Sequence, residues 1–194
     1  EEVLCENNPE LPGSGERPLT FSKHLYIEKE DFLEEAGKKF FRLTLGKEVR
    51  LKSGYIIKAE HVVKDSSGVI EEVLCSYDPK SRSGSGTEES KRKVKGTLHW
   101  VSQQDAFPVE IREYDRLFRV PEPGSEGKDF VEDINSESLK IKKGFAEASL
   151  KEAKHGTQYQ FQRKGYFVVD KDSAAGKIVF NKVVGLRDSW RKHA

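Results

Sequence analysis

The stretch "KEVRLKSGYIIKAEHVVKDSSGVIEEVLCSY", residues 47–77, decides the fold class. Val49 and Leu51 alternate with Arg50 and Lys52, the two-residue period of a half-buried strand, over residues 47–52. Two more β-rich runs follow at 55–63 and 69–77, and "DSSG" between them is a hairpin signal, with Gly68 able to take a positive φ. Gly54 marks a bend or bulge. Further out, residues 94–102, 109–114, 139–143, 159–170 and 177–184 carry the same kind of pattern. Helical periodicity is confined to 31–38, 128–134 and 149–154. The expected class is mainly β, arranged as β-barrels with a few short helices.

The 194 residues suffice for one large domain or two small ones, and the 35% hydrophobic content supplies a core without a lipid-facing surface. No run approaches the roughly 18 to 20 apolar residues of a membrane helix, and "EEVLCENNPE" at the start is acidic where a signal peptide would be basic. Cys5 and Cys75 match no metal or redox spacing, which fits a reducing compartment; the expectation is a cytoplasmic protein away from membranes. There is no methionine, even at position one, which reads as a piece of a longer protein. Net charge is only +1, yet it is segregated. Lys and Arg gather in "KSRSGSGTEESKRKVKG" (80–96), "EVRLK" and "QRKG", whereas carboxylates gather in "EKEDFLEEAG" and "EPGSEGKDFVEDINSE". Such segregation can give a basic face to a nearly neutral body. The Gly/Ser-rich stretch 78–91 and "PEPGSEGKD" (121–129) read as mobile loops, and the first twenty residues as a connector.

Enzyme chemistry finds little support. His24, His61, His99, His155 and His193 show no metal-ligand spacing, and neither G-x-S-x-G nor a P-loop is present. His99 inside "GTLHWVS" reads as a sheet or core residue, and the order of Ser, His and Asp marks no triad.

Nucleic-acid binding has more to build on. Arg50 and Lys52 share a strand face about 7 Å apart, a spacing that suits adjacent nucleotides and equally an ordinary solvated face. In "KKFFRL" (38–43) one of Phe40 and Phe41 belongs to the core, leaving the other to stack on a base. "YQFQRKGYFVV" (159–169) reads as one strand, with Tyr159 and Phe161 on one face and Gln160 and Gln162 on the other, running into Arg163 and Lys164. Gln160 and Arg163 are planar groups able to meet the Watson–Crick edge of an unpaired base. A hydrogen-bonded sheet edge with Arg163 in a surface ion pair is the other reading.

Five blocks in fixed order carry a resemblance: "RKVKGTLHWVS" (92–102), "EIREYDRLF" (110–118), "NSESLKIKKGFAEASL" (135–150), "YQFQRKGYF" (159–167) and "VFNKVVGLRDSW" (179–190). Together they resemble the carboxy-terminal anticodon-binding region of the glutaminyl-tRNA synthetases, over nearly everything after Phe21. The resemblance implies two β-barrels, a distal one from residues 20–98 and a proximal one from 1–19 and 99–194. It also implies a monomer that binds the anticodon stem-loop of tRNA(Gln) and works with its own class I catalytic domain. That domain would be absent here and would hold ATP and magnesium, leaving this fragment inert and without a cofactor.

Residue by residue, Arg50 and Lys52 resemble the pair that holds the first anticodon base; the family often has arginine where Lys52 stands, and lysine lacks the planar fork. Gln160 and Arg163 match the pair for the central uracil, whose pocket includes another arginine that would lie upstream of residue 1. Arg42 matches the reader of the third base, with Lys38 and Lys39 beside it for phosphate and Phe41 where some members have lysine. The competing reading is a β-barrel that docks a protein, its charges merely solvated.

Overall fold

The computed structural model describes residues 1–186, so His193 and the last four residues of the "VFNKVVGLRDSW" block lie outside the described residues. The chain divides into two compact units, residues 1–106 and residues from 107 onward.

In the first unit the strands are β1 (Glu2–Glu6), β2 (Glu16–Thr20), β3 (Leu25–Ile27), β4 (Glu48–Leu51), β5 (Ile56–Lys64), β6 (Ile70–Asp78), β7 (Thr97–Leu98) and β8 (Trp100–Ser102). β1 pairs with β2 and β3 with β8, while the largest sheet runs β6-β5-β4-β7. Alternation does what it promised: Val49 and Leu51 are buried and Arg50 between them is half-exposed. The 69–77 run forms β6 against β5 in antiparallel register, broken by irregularities after Ala59 and Val63. Gly68 turns the chain between them at φ 83°.

The core gathers Val49, Leu51, Ala59 and Leu98 from the largest sheet, Trp100 from β8 and Leu43 from the segment before β4, together with Val3, Cys5 and Leu19 from the first hairpin. That shared core explains why the division differs from the expected one. Residues 1–19 are not an open connector: Val3 and Cys5 alternate inward along β1 and pack with the strands that follow.

The second unit has β9 (Phe107–Tyr114), β10 (Leu139–Ala146), β11 (Gln158–Phe161), β12 (Gly165–Val169) and β13 (Ile178–Val184) in the order β10-β9-β13-β12-β11. Its core is Val109, Ala146, Phe167, Val169, Ile178 and Phe180, with the rings of Phe161 and Phe167 stacked at 4.3 Å.

The mainly β class stands, but none of the described sheets closes into a hydrogen-bonded barrel; each runs out at edge strands such as β6, the two-residue β7, β10 and β11. The expected helices shrink to 3-10 turns at Lys29–Asp31, Phe130–Asp133 and Ala148–Leu150. Segments this short cannot offset the cost of nucleating an α-helix. A single α-helical turn, α1 (Glu88–Lys91), forms instead where Thr87 Oγ1 accepts the Ser90 N–H at 3.1 Å.

Candidate nucleic-acid interface

Parallel pairing of β4 with β7 lays the segment before β7 along the start of β4, where the Arg50 N–H donates to the Gly96 carbonyl at 2.8 Å. The chain can come this close to Phe41 only because residue 96 is glycine. A Cβ there would stand 2.6 Å from the Phe41 carbonyl oxygen and 3.1 Å from a Val49 methyl. Two basic runs remote in sequence, "KKFFRL" and "KRKVKG", therefore meet at one place. Between them lies a concavity of about 710 Å³ lined by the cations Lys38, Arg42, Lys47, Lys58, Lys93 and Lys95, by Phe40 and Phe41, and by a single carboxylate, Glu48. Glu48 is already bonded to Arg92, which it shares with Asp78. Lys39 is exposed but does not line the concavity. Phe41 is 47% exposed, whereas Phe40 is half-buried.

Arg42 is held in place from below. Its Nε donates to Asp31 Oδ1 at 3.1 Å and a terminal nitrogen donates to the Phe41 carbonyl at 3.0 Å. Asp31 is only 2% exposed and Arg42 about a third, at 33%. A carboxylate out of water requires a partner, and here the partner is the inner edge of a guanidinium whose remainder faces outward. Asp31 owes its position to the 3-10 turn and to its carbonyl, which accepts the Leu43 N–H at 3.0 Å. The result is a planar fork with restricted rotation beside an exposed aromatic ring, which is what recognition of a base edge and face requires.

Arg50 is placed differently. One terminal nitrogen donates to the Ser81 carbonyl at 2.8 Å and Ser83 Oγ at 3.2 Å; the other donates to the carbonyls of Ser90 at 2.9 Å and Arg92 at 3.2 Å. Burial, and next the nearby Arg92 cation, lower its pKa. The stretch 78–91, which composition suggested was mobile, is fastened: Ser81 is buried with its hydroxyl accepting the Ile56 N–H at 2.8 Å, and Ser83 Oγ donates to the Gly54 carbonyl at 2.9 Å. Arg50 thus spends its fork on its own chain, and it does not line the concavity. Lys52 is half-buried at the start of the β4–β5 turn, where its carbonyl accepts the Trp100 indole N–H at 2.9 Å.

In the second unit the "YQFQRKGYFVV" stretch is a hairpin and not one strand. β11 ends at Phe161, Gln162 to Lys164 form the turn, and β12 returns from Gly165. The Lys164 N–H donates to the Phe161 carbonyl at 2.9 Å, and Arg163 takes φ 63°. The following Gly165 has φ 138°, and a Cβ on it would stand 2.3 Å from the Val184 carbonyl oxygen, so the turn is seated against the end of β13. A left-handed arginine costs of order 1–2 kcal/mol. Such strain is a pointer to function where the surroundings enforce it.

Tyr159 and Phe161 do face the core, as expected, against Phe180 and Phe167. Gln160 is exposed on the opposite face, and its cross-strand partner is Tyr166, 44% exposed. Cross-strand partners share a sheet face, so an amide that can read a base edge stands beside a ring that can hold its plane. Tyr166 escaped the sequence reading because a single strand puts it nowhere near Gln160; "RKG" as a turn was the available signal. Three other cations of this unit are engaged in pairing: Arg112 with Glu110 and Asp172, both at 2.8 Å, and Lys142 and Lys182 with Glu113 at 2.5 and 3.1 Å.

Comparison with known proteins identifies the family. Two family models, each described as "tRNA synthetases class I (E and Q), anti-codon binding domain", match residues 1–78 and 97–170. Glutamine–tRNA ligase of Proteus mirabilis (strain HI4320) is 53% identical over 193 residues, which is 99% of this chain and 34% of that protein. The same enzyme of Enterobacter sp. (strain 638) is 52% identical over 98% of this chain and 34% of its own length, and that of Escherichia coli O157:H7 is 52% identical over 99% and 34%. The chain spans about a third of the length of these curated relatives. Its two units and their matches leave one conclusion: the chain belongs to the anticodon-binding domains of the class I tRNA synthetases for glutamate and glutamine.

Proposed function

We propose that the chain reads the anticodon of tRNA(Gln) for a glutamine–tRNA ligase, in the cytoplasm and as a monomer. The ligation itself, with ATP and magnesium, belongs to a class I catalytic portion outside these residues. The observation that carries the reading is Arg42, fixed by a buried carboxylate at the edge of a basic concavity beside an exposed phenylalanine. An anticodon base is already outside a duplex and costs less to unstack. Arg42 then takes the third base, and the Gln160 and Tyr166 face of the hairpin, together with Arg163 at its turn, takes the central uracil. Each such contact contributes about 1–3 kcal/mol of discrimination by analogy with base contacts in DNA, so two or three readers suffice.

The first base falls to Lys52 and to the stretch that Arg50 fastens. Lys38 and Lys39 supply phosphate contacts, which raise affinity for any RNA and weaken with salt. The test is titration of the chain with anticodon stem-loops differing only in the central base, at low and moderate salt. A preference for uracil that persists as salt rises is expected. Equal, salt-sensitive binding of both loops would reduce the molecule to an RNA-tolerant basic surface, and no binding of either would favour a docking module for protein.

A further inference from the structure

We infer that Lys93 and Lys95 form a phosphodiester-binding arm facing Arg42, so that the concavity of the first unit accepts one whole nucleotide: base edge toward Arg42, backbone toward the "KRKVKG" run. This rests on the anticodon-reading proposal and extends it to residues fifty positions away in sequence.

The reasoning starts from Gly96. With no room for a Cβ against the Phe41 carbonyl, this position brings the backbone of one basic run onto the backbone of the other. Strand pairing of Arg50 with Thr97 then fixes the register, so Lys93 and Lys95 line the same concavity as Arg42. Both lysines are exposed, with half-buried Val94 between them. Lys58, which also lines the space, is paired with Glu60 at 3.1 Å, and the one lining carboxylate, Glu48, is held by Arg92. The local field is therefore positive in a chain whose net charge is only +1. An open concavity of about 710 Å³ is ample for a nucleotide. The chemistry divides cleanly. Arg42 has the oriented fork that a base edge needs, whereas lysine is a compact, rotatable point charge suited to a phosphate oxygen.

The experiment compares the 194-residue chain with the Lys93→Ala/Lys95→Ala double variant, using anticodon stem-loop RNA over a range of salt concentrations. Each phosphate contact to single-stranded RNA contributes a slope of roughly −0.7 in log K against log salt, so the slope should become shallower by roughly 1.4. Base preference at all three anticodon positions should persist. An unchanged slope would overturn the arm, and so would a selective loss of preference at one base. A native chain that shows no base preference yet loses slope in the variant would refute anticodon reading while leaving the phosphate arm in place. Lys91→Ala, on the neighbouring helical turn and bonded to Glu88 at 3.0 Å, serves as the charge control and should leave the slope nearly unchanged.

Discussion

Arg42 and Arg50 are eight residues apart, both half-exposed and both set beside buried aliphatic neighbours, yet the fold uses them in opposite ways. Arg42 is gripped along its inner edge by one buried carboxylate and one carbonyl, and it borders a basic concavity. Arg50 donates to four acceptors in the 81–92 segment and does not line that concavity. An arginine anchored on one side remains available to a ligand. One whose fork is filled by main-chain carbonyls organises the protein instead. Residue type and partial exposure are the same for both, so the difference rests on what the rest of the chain brings to them.

Substitutions at four positions test this contrast, in order of expected effect on stability. Arg50→Ala removes charge-assisted bonds to a partly buried segment and should cost about 2–3 kcal/mol, read as a lowered urea midpoint. Arg50→Lys should recover little, because an ammonium cannot span four acceptors; full recovery would mean that charge alone matters there. Gly96→Ala places a methyl 2.6 Å from the Phe41 carbonyl oxygen. A cost of about 1–3 kcal/mol is expected, together with weaker RNA binding as the two basic runs part. Asp31→Asn keeps the shape but removes the charge that holds Arg42. A loss of about 1–2 kcal/mol is expected, with third-base preference reduced and central-base preference intact. Arg163→Gly relieves the left-handed strain but gives the unfolded chain more freedom, and these effects nearly cancel at about 1 kcal/mol each. Stability should change little while preference for a central uracil falls, as measured by stem-loop titration.

Much of this was readable before any coordinates. The two-residue alternation around Val49 and Leu51, and the Gly68 turn, set the β class and the β4-β5-β6 run correctly, because side-chain burial enforces that period directly. The first hairpin was missed: Val3 and Cys5 alternate over only five residues, and what buries them is supplied by strands far along the chain. Turn chemistry misled at "QRKG", where arginine occupies a conformation usually left to glycine or asparagine. Lys38, Arg42 and Gln160 were singled out by the family resemblance, and the structure places the first two at the concavity and Gln160 on an exposed strand face. Asp31, Lys93, Lys95 and Tyr166 were not, since each comes beside one of those residues only through a non-local contact: a buried ion pair, the Gly96 approach, or a cross-strand register. Arg50 looked like a reader because no one-dimensional pattern reveals which carbonyls a guanidinium will find.

The most direct measurement takes the native chain, Arg42→Lys and Arg50→Lys, and determines for each the ratio of affinities for two stem-loops that differ only in the third anticodon base. Arg42→Lys keeps the charge and loses the fork, so its ratio should collapse toward unity while its salt dependence stays native. Arg50→Lys should keep the native ratio. If Arg42→Lys retains full discrimination at the third base, or Arg50→Lys loses it, the roles assigned to the two arginines are wrong.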